Sequence, residues 1–104
     1  MNKIIICGRL GAAPTTRQAG ASTVTSLRVA TREGYGERER TQWHTVEAWG
    51  ALGENCARHL VSGQQVLVEG QLRSDEWEKD GKTQTLWKIV ARTVEFLGRP
   101  QGKS

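Results

Sequence analysis

Between Thr41 and Gly50 the chain reads Thr-Gln-Trp-His-Thr-Val-Glu-Ala-Trp-Gly, an alternation with a period of two. In an extended strand this puts Trp43, Thr45, Glu47 and Trp49 on one face and Gln42, His44, Val46 and Ala48 on the other. The indoles share their face with Thr and Glu, while the small apolar residues that suit a core lie opposite. The same period marks Thr23 to Arg32, where Leu27 and Val29 give the core side and Arg28 and Arg32 point outward. It returns in Gln65 to Leu72, with Val66, Val68, Gly70 and Leu72 on one face. In Thr83 to Glu95, Trp87 keeps step with Ile89 and Ala91 and is expected to pack with them. Asn2 to Arg9 differs, because Ile4, Ile5, Ile6 and Cys7 form a continuous apolar run. That run is read as a strand covered on both faces, by the domain's own core and by a second subunit.

The interruptions define the connections. Gly8 to Pro14 is read as a turn with a bulge, and Gln18 to Ser22 as a loop leading to the second strand. Glu33 to Arg40 is charged and glycine-rich, a mobile hairpin loop with Tyr35 in its middle. Leu52, Cys56, His59 and Leu60 recur at helical spacing and Gly63 supplies a stop, which predicts a short amphipathic helix over Leu52 to Val61. Arg73 to Glu78 extends the fourth strand into a projecting arm that carries Trp77, and Lys79-Asp80-Gly81-Lys82 has the Asp-Gly signal of a tight hairpin. Three strands, a helix and two strands, with long hairpins between strands two and three and between four and five, fit an all-β fold. The expected architecture is the five-stranded Greek-key OB-fold barrel, with one short helix between strands three and four. It occupies residues 1–98, and 99–104 is a short flexible basic end.

At 104 residues the chain holds one core. Fifteen Lys and Arg against eleven Asp and Glu give a net charge of +4, which permits a polyanionic partner without requiring one. No run approaches the roughly 18 apolar residues of a membrane span, and the N-terminus is too short for a signal peptide, so no membrane association and a cytoplasmic, nucleoid-associated location are expected. Cys7 and Cys56 form no Cys-x-x-Cys pair, so neither a disulfide framework nor a metal site is expected. Cys56 and His59 are three residues apart with no orienting third group. No triad or paired carboxylates stand elsewhere, and no enzyme, catalytic residue or cofactor is expected.

Large aromatics on a polar face suit a flat, partly polar ligand such as a nucleic-acid base, although a Trp there also serves to cover an open barrel end. Trp43, Trp49, Trp77 and Tyr35 are the aromatics with the weakest claim on a core. Arg28 and Arg32 stand ready for phosphates or for solvent.

These residues carry a resemblance to bacterial single-stranded DNA-binding proteins over nearly the whole chain. It rests on Asn2-Lys3-Ile4-Ile5-Ile6 with Gly8-Arg9-Leu10-Gly11, on Pro14 and Arg17, on Ala30-Thr31, on Trp43-His44 and Trp49-Gly50, and on Val68-Glu69-Gly70-Gln71-Leu72-Arg73 ahead of Trp77. The resemblance implies coating of single-stranded DNA without strong sequence preference, in replication, recombination or repair. Its base-stacking positions match Tyr35, Trp43, Trp49 and Trp77; Arg28, Arg32 and Arg73, read from the chain itself, are the expected phosphate contacts beside them. It further implies a homotetramer, or a related dimer-based assembly, with subunit contacts at Ile5, Cys7, His44 and Gln65. Three departures stand out. A basic cluster common before the last stacking tryptophan is here Arg73-Ser74-Asp75-Glu76, the usually basic residue after Trp-His is Thr45, and the chain stops at Lys103-Ser104 without an acidic tail. Replication partners that dock on such a tail are therefore not expected. The rival reading is an accessory primosome-like OB module that works mainly through protein partners. Stacking alone leaves RNA open as a ligand.

Overall fold

A computed structural model describes residues 1–98 of the protein. The expectation of a flexible end at 99–104 lies outside the described residues. Among the described residues the strands are β1 (Ile4–Leu10), β2 (Thr15–Ala19), β3 (Ser22–Glu33), β4 (Arg40–Trp49), β5 (Gln65–Lys79) and β6 (Lys82–Leu97), and the one α-helix, α1 (Gly50–His59), joins β4 to β5. They form one sheet in the order β1-β5-β6-β4-β3-β2, and an additional β1–β3 pairing closes β1, β5, β6, β4 and β3 into a ring. This is the five-stranded OB architecture with its helix between the third and fourth ring strands. Closure needs a residue without a side chain at Gly8, where an added Cβ would lie 2.2 Å from the Ala30 carbonyl oxygen.

Inside the ring Leu10, Leu27, Val29, Val46, Ala48, Val66, Val68 and Ile89 are buried together with Cys56 and Leu60. Those of β3 to β6 occupy the alternate positions that the period-two pattern assigns to the core, whereas Leu10, in the stretch read as a turn with a bulge, is the last residue of β1. The helix starts two residues earlier and ends two residues earlier than its spacing predicts, because Gly50 takes a left-handed φ of 61° and turns the chain straight out of β4. The Asp80-Gly81 turn is as expected, with both residues at positive φ and Lys79 opposite Lys82.

Two expectations need correction. Thr15 to Ala19, which begins just after the stretch read as a turn and overlaps the predicted loop at Gln18 and Ala19, is a strand paired with β3 from Thr15↔Ser26 to Ala19↔Ser22. Its Thr-Thr-Arg-Gln-Ala sequence has no apolar alternation, because an edge strand outside the ring is held by backbone pairing and buries almost nothing. In β1 Ile4, Ile6 and Leu10 pack toward the core, and Ile5 and Cys7 stand exposed within the single chain, on the face expected to meet a second subunit. Trp87 shares the parity of Ile89 but is 60% exposed. It lies two residues up the arm, where β5 and β6 have run beyond the barrel and no core remains to receive it.

Candidate nucleic-acid interface

Pairing of β3 with β4 places Arg28 opposite Thr45, Ala30 opposite Trp43 and Val24 opposite Trp49, all on the outer face. Trp43 and Trp49 are 50% and 40% exposed while Val46 and Ala48 behind them are fully buried. The indoles thus lie on a wall whose other side is core. Arg28 sits over the Trp43 ring, 5.2 Å from its centroid, and Gly11 lies against the edge of the same ring. Trp43 also borders a groove of about 450 Å³ lined by Arg9, Arg32, Thr41, Cys7 and Gln65.

The third indole comes from the arm. Registers Arg73↔Lys88, Asp75↔Leu86 and Trp77↔Gln84 put Arg73, Asp75, Trp77 and Lys88 on one face, with Trp77 47% exposed. A chain of ion pairs joins this face to the wall of β4. Lys88 Nζ lies 2.7 Å from Asp75 Oδ2 and 3.1 Å from Glu47 Oε1, and Arg17 Nη2 lies 3.6 Å from Glu47 Oε2. The carboxylates hold the Lys88 ammonium above its usual pKa, Asp75 by its hydrogen bond foremost, against the burial that opposes the charge. Glu47 belongs to the outer face as the alternation says. Nothing in the sequence alone announces that it is buried there, because the residues that cover it come from β2 and β6.

The other predicted site residues are spread more widely. Tyr35 is exposed, directly before a 3-10 turn at Gly36–Arg38 in the β3–β4 connection. Arg32 reaches Glu39 across the same hairpin at 3.2 Å, and Arg73 donates to the Gln71 side chain at 3.0 Å. Of the acids before Trp77, Asp75 is engaged by Lys88, and Glu76 pairs opposite Thr85 on the reverse side of the arm. The lost basic cluster therefore leaves the Trp77 face itself with a single acid, already neutralised. Among the predicted subunit contacts, Ile5, Cys7 and Gln65 lie together on the β1–β5 surface, where Gln65 Nε2 donates to Cys7 Sγ at 3.6 Å. His44 stands apart on β4, hydrogen-bonded to Thr31 Oγ1 at 2.9 Å.

Burial pushes the Cys56 thiol up to about 11, so it is a protonated core group at neutral pH rather than a nucleophile. His59 packs at a tilt on Phe96 with ring centroids 6.4 Å apart. Among the described residues no group of three His, Cys, Asp or Glu is placed to hold a metal ion, and no helix is long and apolar enough to cross a membrane.

The model of the single-strand binding protein family matches residues 1–97. "Single-stranded DNA-binding protein 1" of Chlorobaculum tepidum is 35% identical over 94% of this chain and 65% of its own length. "Single-stranded DNA-binding protein 1" of Xylella fastidiosa is 37% identical over 97% of this chain and 80% of its own. "Single-stranded DNA-binding protein" of Xanthomonas campestris pv. campestris is 41% identical over 94% of this chain and 61% of its own. The chain thus spans between about three fifths and four fifths of the length of these relatives. Among solved structures, "Plasmodium falciparum SSB complex with ssDNA" superposes with a TM-score of 0.85 at 22% identity, over 94% of this chain and 96% of that one, which shows a shared fold.

Proposed function

The chain belongs to the single-strand binding protein family, and we propose on that basis that it coats single-stranded DNA without sequence preference, in replication, recombination and repair. The observation that carries the reading is a set of three half-exposed indoles of outward parity, Trp43 and Trp49 on a wall whose reverse side is the core and Trp77 on the arm that extends from it. Bases stack on these rings, and each is worth roughly 1–3 kcal/mol whatever its identity, because every base has a π-face. Tyr35 adds a fourth ring from the β3–β4 connection. Arg28, Arg32 and Arg73 hold the backbone, so log affinity falls with log salt by about 0.7 for each phosphate neutralised. The protein acts by binding alone, as a homotetramer in the cytoplasm, with its subunits meeting through Ile5, Cys7, Gln65 and His44.

Trp43→Ala and Trp49→Ala test the site. Each is expected to weaken binding of a polythymidine oligonucleotide by about tenfold while far-UV circular dichroism stays that of the folded domain. Wild-type affinity in either folded variant removes that tryptophan from the site.

A further inference from the structure

We propose that Lys88, Glu47 and Asp75 are positioning residues, a charge brace that fixes the Trp77 arm relative to the Trp43–Trp49 wall. The inference rests on the single-stranded DNA reading above and gives these three residues a role within it. Beyond Leu72 and Ile89 the β5–β6 hairpin pairs only with itself, and the parallel contact of β6 with β4 has just two registered pairs, Val46↔Ile89 and Glu47↔Val90. Backbone bonding alone therefore leaves the arm free to swing about that short contact. Lys88 sits at this junction with only 14% of its side chain exposed, and it joins Glu47 on β4, whose side chain is 8% exposed, to Asp75 on β5. Arg17 on β2 balances the second carboxylate oxygen of Glu47. The alternating charges Arg17, Glu47, Lys88 and Asp75 cross four strands.

The brace is placed among the three stacking tryptophans. On its face of β4, Glu47 lies between Trp49 two residues on and Trp43 four residues back, and Asp75 is two residues before Trp77 on the face they share. An extended strand rises about 3.3 Å per residue, so a swing of the arm at Lys88 moves the Trp77 ring by several ångströms relative to the wall. A strand stacked on both must then bridge a variable gap. Lys88 is thus withheld from phosphates: both of its near partners are carboxylates of the protein, and its side chain is largely covered.

Asp75→Ala separates this role from simple electrostatics, and it leaves the buried Glu47 paired with Lys88 and Arg17, so the fold is kept. Removing an acid from a DNA-binding face should tighten binding if charge alone matters. The brace instead predicts affinity for a long polythymidine oligonucleotide weakened about two- to fivefold, in line with the loss of one partly exposed ion pair. It also predicts an unchanged salt slope, no further weakening in the Trp77→Ala background, and faster amide exchange along 73–88 in the DNA-free protein. Tighter binding, or a loss that adds in full to that of Trp77→Ala, would overturn the brace. Wild-type protein that binds no single-stranded DNA defeats the functional reading instead. The brace then stands or falls on exchange alone, and unchanged protection of the arm in Asp75→Ala defeats it.

Discussion

The guanidinium carbon of Arg28 stands 5.2 Å from the centre of the Trp43 ring, reaching diagonally from one strand to the next on the outer face. Such a cation–π contact at an exposed site contributes about 0.5–1 kcal/mol, holds the indole in place and keeps a cation beside the surface on which a base would lie. Arg28→Ala is therefore expected to weaken single-stranded DNA about fivefold and to reduce the salt slope by about 0.7. Arg28→Lys should keep the slope and lose part of the affinity, because an ammonium holds the charge without the planar stack. Fluorescence anisotropy across a salt series reads both, and an unchanged slope in Arg28→Ala would take this residue off the phosphate path.

Gly11 supports the same ring from its edge. A Cβ added there would lie 2.5 Å from Cζ3 of Trp43 and meet no backbone, so Gly11→Ala displaces a surface side chain rather than the barrel. The expected result is weakened DNA binding and an altered tryptophan emission maximum, with the urea midpoint shifted by less than about 0.5 kcal/mol equivalent. Normal binding with a displaced ring would show that the placement of Trp43 is not critical.

Much of this arrangement is legible in the sequence. The alternation in β4 assigns Trp43 and Trp49 to the outer face and Val46 and Ala48 to the core, and Asp80-Gly81 marks the arm's tip. The period of two reports parity, however, and says nothing of which part of a long strand lies over the core. Trp87 illustrates the difference: it has the parity of the buried Ile89 yet stands in solvent two residues beyond the ring. Strand β2 was hidden for the opposite reason, since a polar edge strand needs only a neighbour's backbone. The burial of Glu47 depends on Arg17 and Lys88, which lie 30 and 41 positions away in the chain and are brought near by strand register alone.

Gly53 sets helix propensity against packing. In an isolated helix Ala is favoured over Gly by about 1 kcal/mol. Here an added Cβ would stand 2.2 Å from the Ala48 carbonyl oxygen and 2.9 Å from Thr25 Oγ1, because α1 rests directly on β3 and β4. Gly53→Ala is expected to destabilise the domain by about 1–3 kcal/mol, read from urea unfolding. A raised midpoint would mean that the helix is not seated this closely.

Cys56 gives the protein an alkaline limit. Burial raises its thiol from an ordinary 9.0 to about 11, so between these values the folded state keeps a proton that the unfolded chain has lost. Stability is then unaffected below about pH 9 and falls as pH rises toward 11. Lys88, also raised, acts in the same sense from its ordinary 10.5 upward. Urea midpoints from pH 7 to about pH 11 should decline in the wild type and decline less in Cys56→Ala. Equal slopes in the two proteins would show that the thiol is not sequestered. At neutral pH a thiol reagent should titrate the buried Cys56 only on unfolding.

The central claim is that bases stack on the three indoles of the outer face, and intrinsic fluorescence tests it most directly. Of the four tryptophans only Trp87 points away from that face, so titration is best done in a Trp87→Phe protein. A polythymidine oligonucleotide should quench most of the remaining emission, in part still at high salt because stacking is not screened, while matching duplex should quench little because its base faces are hidden. Absence of quenching by the single strand, with the protein folded, would contradict the assignment of Trp43, Trp49 and Trp77 to DNA.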